Sequence, residues 1–233
     1  MGVVPVAASA GIFAAIEKGY FEAEGIQVEA SNFDSAVQMV APLSTGQLDV
    51  GGRAISAGLF NALARGVELY AVADMGRISR GFGYTQLMVR SDLADQVKSV
   101  ADLKGRKVAI NARGNSPEVE LVLYLKEAGL TLQHISLSTI GYPEMRTAFA
   151  NKGIDATIVT EPYATQIRRQ GLARVLRTAD TVYPDHQIAV IFYSPKWVQE
   201  KPDLARRWLV AYLRGCGFTT RPSFRKSRKP GPR

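Results

Sequence analysis

Hydroxyl, amide, guanidinium and aromatic groups recur in this chain directly after short apolar runs that are predicted strands. The residues singled out as ligand-binding candidates are Ser9, Phe33, Arg53, Asn115, Ser116, Glu161 and Tyr163. Arginine offers a planar fork of donors for carboxylate, sulfonate or phosphate groups, and aromatic rings stack on flat ligands. These residue types predict reversible binding of a small solute that is either anionic or aromatic.

The individual candidates also have structural interpretations. Arg53 is the strongest of three arginines because it directly follows a predicted strand end, whereas Arg77 and Arg113 lie nearby. For each of them, a surface ion pair is about as good an explanation as ligand contact. Glu161 opens a predicted helix, where the helix dipole stabilises a carboxylate without any ligand. The two aromatic candidates are equally consistent with ordinary surface rings.

No catalytic set emerges from the sequence. The chain has one cysteine, Cys216, and two histidines, His134 and His186, each remote from other metal-type ligands. It has no Gly-x-Ser-x-Gly elbow and no phosphate-binding loop. We therefore predict no catalytic residue, no cofactor and no metal site, and we interpret both histidines as surface or strand-edge residues.

The elements that position these candidates occur twice. Residues 17–50 and residues 124–159 each contain a helix closed by glycine, a strand, a second helix closed by glycine, and a strand that opens with an apolar residue and Asp. Glycine is the usual helix stop because it adopts the left-handed conformation at low cost. Alternating strands and helices predict parallel strands with right-handed crossovers. The fold class is therefore α/β, with two lobes that are each a mainly parallel sheet flanked by helices.

The repeat predicts how the chain is divided. Lobe one should comprise residues 1–83 and 194–233, and lobe two residues 91–185, with crossing strands at 84–90 and 186–193 acting as a hinge. Ligands of open α/β sheets bind beyond the carboxyl ends of the strands, and clefts between lobes are favoured sites. The segments predicted to face such a cleft are 9–13, 33–35, 52–56, 113–117 and 160–163.

The net charge of +8 comes from the C-terminal end of the chain. No Asp or Glu follows Asp203, whereas nine Lys or Arg do, so residues 1–203 are almost neutral. Residues 221–233, rich in Arg, Pro and Ser, are predicted to be a disordered tail. Because no basic stripe is predicted on a folded face, a nucleic-acid partner is not expected, although a tail that binds nucleic acid or membrane is an open alternative.

The N-terminal residues carry no signal-peptide pattern, because residues 3–7 already form a predicted core strand. No apolar run approaches the ~18 residues that a membrane-spanning helix requires. Taken alone, these features indicate a cytoplasmic protein.

Several phrases together resemble the solute-binding proteins of ABC importers, in the branch that handles nitrate, sulfonates, taurine and thiamine-pyrimidine precursors. They are residues 12–21 (IFAAIEKGYF), 43–50 (LSTGQLDV), 103–109 (LKGRKVA), 154–156 (IDA) and 161–163 (EPY). The resemblance covers residues 3–214. It implies a type-2 periplasmic binding protein fold, a periplasmic location, and permease subunits as partners. The chain departs from the family in lacking a leader and in its sequence after Arg214.

Two other classes stay open beside the receptor. An enzyme on the same fold, of the pyrimidine-synthase kind, would use His and Cys in the cleft. The sensor half of a transcription regulator would need a helix-turn-helix ahead of residue 1. The ligand is a sulfonate, a carboxylate or a pyrimidine. Loss of the family's C-terminal helices would expose apolar surface near Trp208 and Tyr212, so the chain is predicted to be a monomer or weak dimer.

Overall fold

The computed structural model describes residues 1–220, apart from the side chain of Arg53. The strands in this range are β1 (Gly2–Val3), β2 (Ser31–Asn32), β3 (Val50–Ala54), β4 (Tyr70–Ile78), β5 (Thr85–Arg90), β6 (Lys107–Ile110), β7 (Ser136–Thr139), β8 (Ala156–Thr160), β9 (Ala173–Thr178) and β10 (His186–Tyr193).

Helices cover both faces of the sheets, together with short 3-10 turns. The α-helices in the described range are α1 (Ala10–Glu17), α2 (Tyr20–Ala23), α3 (Val40–Ser44), α4 (Ala57–Ala64), α5 (Ser116–Glu127), α6 (Tyr142–Ala150), α7 (Tyr163–Arg169), α8 (Pro195–Glu200) and α9 (Pro202–Thr219). Within residues 1–220, none of these helices is both long and apolar enough to cross a membrane.

The strands form two sheets with the same internal order. The first is β2-β1-β3-β10-β4 and the second is β7-β6-β8-β5-β9. The predicted two-lobed α/β fold is therefore confirmed, and the repeat seen in the sequence is a repeat of topology. We call the first sheet with its helices lobe one and the second sheet with its helices lobe two.

The expectation that each sheet is mainly parallel was wrong, because both sheets are mixed. In the first sheet β1 pairs with β2 and β3 in parallel, but β10 is antiparallel to β3 and β4. In the second, β6 is parallel to β7 and β8, but β5 is antiparallel to β8 and β9. The reason is that β5 and β10 each enter their sheet from the other lobe, and so run against their neighbours.

The chain passes between the sheets twice, through residues 79–84 and 179–185. These two segments are tied together where the Gly81 N–H donates to Asp180 Oδ2 at 2.8 Å. The predicted crossings at 84–90 and 186–193 consist largely of β5 and β10, each a strand within one sheet. The division into residues 1–83 plus 194–233 and 91–185 stays a prediction.

The start of α5 shows how local chemistry sets a helix end. Asn115 caps this helix, and its side-chain oxygen accepts from the Glu118 N–H at 3.3 Å. The Ser116 hydroxyl instead donates to the Ile55 carbonyl oxygen at 2.9 Å, across to lobe one. Asn is among the favoured cap residues, and with Asn115 at the cap position the Ser116 hydroxyl is available for this contact.

Helix α9 extends beyond Arg214, where the resemblance to the family was expected to stop, and ends at Thr219. It packs on α1 through Gly215, where an added Cβ would lie 2.1 Å from the Gly11 carbonyl oxygen. The Trp208 and Tyr212 side chains are buried, whereas Val210 and Leu213 beside them are 38% and 55% exposed, so the apolar surface expected near the two rings comes from these neighbours. The rings of Trp208 and Tyr212 stack on each other with centroids 5.6 Å apart.

The predicted disorder of residues 221–233 lies outside the described residues. We expect deletion of this segment to lower the melting temperature by less than about 5 °C, equivalent to roughly 1–2 kcal/mol for a chain of this size. The reason is that the segment has no acidic residue and no apolar periodicity. Differential scanning calorimetry of the chain with and without these residues measures the difference, and a larger fall would show that the segment is integral to the fold.

Candidate functional site

A cavity lies between the two sheets, lined by parts of β3, β4 and β10 from the first sheet, by the end of β8 from the second, and by the first turns of α5 and α6. Its volume is about 60 Å³. Both lobes contribute to its wall. The residues that line it include Gly52, Tyr84, Thr85, Asn111, Asn115 and Tyr142.

The cavity wall contains hydroxyl groups without protein partners. The Tyr84 hydroxyl and the Thr85 hydroxyl are both buried, and neither has a hydrogen-bond partner in the described part of the chain. Burial is the largest cause that raises the pKa of Tyr84 and of Tyr142, so both phenols stay protonated near neutral pH. An unpaired buried polar group is costly, so these hydroxyls are free to bond a polar group that enters the cavity.

A second opening adjoins this cavity and is lined by aromatic rings. Phe33 and Tyr163 lie here with Tyr142, which also faces the main cavity. Tyr142 and Tyr163 stack with ring centroids 5.6 Å apart and an angle of 20° between their planes. The rings therefore form a continuous apolar wall on which a flat group can lie.

The two lobes are in contact around the cavity. The Ala7 N–H of lobe one donates to the Glu161 carbonyl oxygen of lobe two at 2.8 Å. On the other side, Ser56 and Asn115 form an isolated antiparallel bridge. A ligand in the cavity would therefore touch both lobes at once, which is the arrangement that couples binding to closure.

Four of the predicted candidates lie around this space. Asn115 lines the cavity, and its Nδ2 donates to Asn111 Oδ1 at 2.8 Å, which leaves the pair oriented by one another. Ser116 is next to it and holds lobe one through Ile55. Phe33 and Tyr163 line the adjoining opening.

The side chains of Ser9 and Glu161 form hydrogen bonds within the protein. The buried Ser9 hydroxyl donates to the Val4 carbonyl oxygen at 2.6 Å. The Glu161 carboxylate accepts from Gln86 Nε2 at 3.0 Å and from the Thr165 N–H at 2.9 Å. Neither residue is part of the cavity lining. In both cases a nearby backbone or side-chain partner forms hydrogen bonds with the polar group that was predicted to bind a ligand.

Two of the three arginine candidates form ion pairs with carboxylates of the protein. Arg113 pairs with Glu118 at 2.6 Å and Arg77 with Asp185 at 3.5 Å, and both side chains are largely exposed. Arg53 belongs to β3, and Gly52, the residue before it, lines the cavity. The side chain of Arg53 is outside the described part of the structure. Its predicted contact with a ligand stays a prediction.

The sequence reasoning missed Tyr84, Thr85, Asn111 and Tyr142. Tyr142 had the signal used for the other candidates, because it follows β7 and begins α6. Tyr84 and Thr85 were assigned to a crossing strand and not considered as ligand contacts, although a segment that joins two lobes borders the cleft between them.

Other chemistry-bearing groups lie away from the cavity. Cys216 is on α9 beside Tyr212, and burial raises the pKa of its thiol. Among residues 1–220 there is no group of three or more His, Cys, Asp or Glu placed to hold a metal ion. His186 is the first residue of β10, in keeping with its interpretation as a strand-edge residue, and its side chain is 8% exposed.

The fold is that of the periplasmic binding proteins. The alkanesulfonate-binding protein SsuA of Xanthomonas axonopodis pv. citri, solved bound to MOPS, superposes with a TM-score of 0.80 at 20% identity, over 96% of this chain and 74% of that one. A desulfurization enzyme, DszB, is a more distant structural neighbour at a TM-score of 0.61 and 16% identity, over 92% of this chain and 74% of that one. At these identities the likeness concerns the fold alone.

The chain belongs to the NMT1-like family, whose model matches residues 1–228. A putative binding protein of Brucella abortus (strain 2308) is 27% identical over 210 residues, 88% of this chain and 61% of the relative. A putative aliphatic sulfonates-binding protein of Escherichia coli K12 is 30% identical over 162 residues, 70% of this chain and 48% of the relative. The chain thus spans less than two thirds of the length of these relatives.

Proposed function

We propose that this chain is the solute-binding component of an ABC-type importer, which captures a small solute between its lobes in the periplasm and presents it to permease subunits. The observation that carries the proposal is the cavity whose wall comes from both lobes and contains the unpaired hydroxyls of Tyr84 and Thr85. The names of the relatives and the SsuA fold support the same class of protein.

Binding in such a cavity is linked to the position of the lobes. A ligand that bonds both lobes stabilises only the form in which they are close, so it shifts the population toward that form. The contacts of Ala7 with Glu161 and of Ser116 with Ile55 join the two lobes and would be lost if the lobes separated. Permease subunits would recognise the surface that closure creates.

The solute class follows from the wall of the cavity. Stacked rings and hydroxyl donors suit an aromatic or heterocyclic solute, and Arg53 supplies the charge for a sulfonate or carboxylate if its side chain enters the cleft. A thermal-shift panel of alkanesulfonates, taurine, nitrate, aromatic carboxylates and pyrimidines tests the proposal. A saturable rise in melting temperature with one class supports it, and no shift with any class at millimolar concentration contradicts it.

Tyr84→Phe should separate binding from stability. The hydroxyl has no hydrogen-bond partner among the residues that the structure describes, so its removal should leave the melting temperature unchanged or slightly higher. The affinity for the compound that gives the largest thermal shift should fall about tenfold, the effect of losing one hydrogen bond. Titration calorimetry measures the affinity of both proteins.

A matched control for Tyr84→Phe is Tyr193→Phe. The Tyr193 hydroxyl donates to the Ala205 carbonyl oxygen at 2.9 Å, inside lobe one and away from the cavity lining. This variant should lose stability and keep its affinity. An unchanged affinity in Tyr84→Phe would remove the tyrosine from the site.

An enzyme on the same fold is the second candidate, and the DszB neighbour is the observation that favours it. Against it, the lining of the cavity contains neither His nor Cys within the described residues. Mass spectrometry of the bound compound distinguishes the two, since a receptor returns its solute unchanged and an enzyme returns a product.

A further inference from the structure

A buried carboxylate lies close behind the wall of the cavity. The Glu120 side chain is 1% exposed, and neither of its oxygens has a hydrogen-bond partner among the residues that the structure describes. Glu120 is on α5, three residues beyond Pro117, which lines the cavity. Residues three apart lie on the same side of a helix, and this spacing is about 4.5 Å along the helix axis. A negative group is therefore available within one helical turn of the cavity wall.

The imidazole of His186 leaves this carboxylate without a hydrogen bond. His186 Nε2 lies 3.7 Å from Glu120 Oε1, which is longer than a hydrogen bond. Burial raises the pKa of the Glu120 carboxyl, and the neighbouring His186 opposes that rise. Because a buried carboxylate without hydrogen bonds is costly, Glu120 is stabilised by a positive group that comes near it.

Two phenols of the cavity wall lie in the electrostatic field of Glu120. Tyr84 and Tyr142 both line the cavity. Burial is the largest cause that raises the pKa of each phenol, and the charge of Glu120 is the second cause for both. The field of the carboxylate therefore reaches residues that face the solute.

The adjoining opening also carries acidic groups. Asp34 lines it together with Tyr163. Glu144 is in the first turn of α6, the helix that begins at Tyr142 beside the opening. After burial, the charges of Glu144 and Asp34 are the causes that raise the pKa of Tyr163. Negative groups are therefore present beside both the cavity and the opening.

The described lining offers no positive charge to balance them. Among the described residues that line the cavity and the opening there is no Lys, Arg or His. Arg113 and Arg77 pair with Glu118 and Asp185, and both arginine side chains are largely exposed. Arg53 is the remaining candidate, and its side chain is outside the described part of the structure. If it enters the cleft it favours an anion, an outcome that the experiment below detects.

We propose that the cavity selects a solute with a cationic nitrogen group, such as an amidinium or an ammonium, which lies toward Glu120, and that it discriminates against small anions. This inference rests on the proposed function, because it concerns the solute of the same cavity. A positive group stabilises an ionised carboxylate strongly where water is excluded. An anion in the same place meets a like charge, or requires the carboxyl to keep its proton. The faces of the Tyr142 and Tyr163 rings also attract a cation.

Three compounds of one shape and different charge test the proposal. Benzamidine is a cation, benzamide is neutral and benzoate is an anion, and each has a planar substituent on the same ring. The ring can lie in the opening, whose volume is about 170 Å³, with the substituent toward the cavity. We expect titration calorimetry near neutral pH to give benzamidine an affinity at least about tenfold higher than that of benzoate, the effect of one charge-assisted contact. Benzoate that binds as tightly as benzamidine, or more tightly, overturns the proposal.

The series separates failure of this inference from failure of the proposed function. If a compound of the thermal-shift panel binds and none of the three compounds does, the choice of a cation is wrong and the receptor function stands. The same holds if a sulfonate or nitrate of that panel binds more tightly than benzamidine. If neither the panel nor the series shows binding, the proposed function and this inference fail together.

Glu120→Gln removes the charge and keeps the shape of the side chain. We expect the affinity for benzamidine to fall at least about tenfold, the affinity for benzamide to change little, and the affinity for benzoate to stay the same or rise. A loss of equal size for all three compounds would indicate a structural role and contradict the proposal. Circular dichroism checks that the variant folds, and if it does not, the wild-type series decides the proposal.

The matched control is Glu127→Gln. Glu127 lies on the same helix and pairs with Arg177 at 3.2 Å at the surface, so this variant also loses one negative charge but leaves Glu120 in place. It should keep the wild-type order and affinities of the three compounds. If Glu127→Gln weakens benzamidine as much as Glu120→Gln does, the effect is that of net charge and the proposal fails.

Discussion

Trp208→Ala should lower the free energy of unfolding by about 3–5 kcal/mol, the range for removing a large buried aromatic side chain. The Trp208 side chain is 2% exposed. Its ring lies 5.2 Å from Phe21, 5.8 Å from Tyr193 and 5.6 Å from Tyr212, measured between centroids. Urea denaturation followed by circular dichroism measures the loss.

Leu213→Ala is the control for this prediction, because Leu213 lies on the same helix but is 55% exposed. It should change the free energy of unfolding by no more than about 0.5 kcal/mol, as surface substitutions usually do. Equal effects of the two substitutions would mean that α9 is not docked on lobe one in solution.

Gly215→Ala is expected to be severely destabilising although it adds a single methyl group. The new Cβ would lie 2.1 Å from the Gly11 carbonyl oxygen and 2.8 Å from the Ala15 Cβ, so α1 and α9 must move apart. Overpacking of this kind costs about 1–3 kcal/mol, and more where backbone must shift. Chemical denaturation again gives the value.

Gly217→Ala provides the matched comparison two residues further along the same helix. Nothing lies within 4 Å of a Cβ at Gly217, so alanine should gain helix propensity and raise the free energy of unfolding by about 0.5–1 kcal/mol. Opposite signs for the two glycines are the expected result. A loss of stability at both positions would point to a general effect on α9.

The sequence was informative about topology because repetition is preserved in the order of residues. The two similar passages at 17–50 and 124–159 correspond to two sheets with the same strand order. Strand direction was not predictable to the same degree. β5 and β10 run against their neighbours because each enters its sheet from the other lobe. Tertiary packing decides in which sheet each strand pairs.

Local sequence patterns did not predict secondary structure where pairing with a distant strand determines it. Residues 76–83 contain three glycines, a composition that favours a loop, yet β4 runs through Gly76 to Ile78. Pairing with β10, which includes register shifts, accounts for this extension. Gly76 is needed there because an added Cβ would lie 2.7 Å from the Tyr84 hydroxyl and 3.0 Å from the Ala8 Cβ.

Site residues were predicted from strand ends, and that rule selects position but not orientation. Asn115, one of the residues it selected, lines the cavity. The rule could not show that the Ser9 hydroxyl bonds the backbone of Val4, or that the Glu161 carboxylate is engaged by Gln86 and Thr165. Such partners are fixed by distances of a few ångströms that no pattern of residue types encodes.

The strand order of the two sheets also sets the sequence of events during synthesis. The sheet of lobe two is complete once Thr178 has left the ribosome, and its strands are contiguous in the chain. The sheet of lobe one must wait for β10, which pairs Tyr193 with Val50 and Ala189 with Ala54. Until then β3 and β4 present open edges, which are templates for wrong pairing. The two halves of a structurally repeated protein therefore differ in contact order, and the N-terminal half is the one that finishes last.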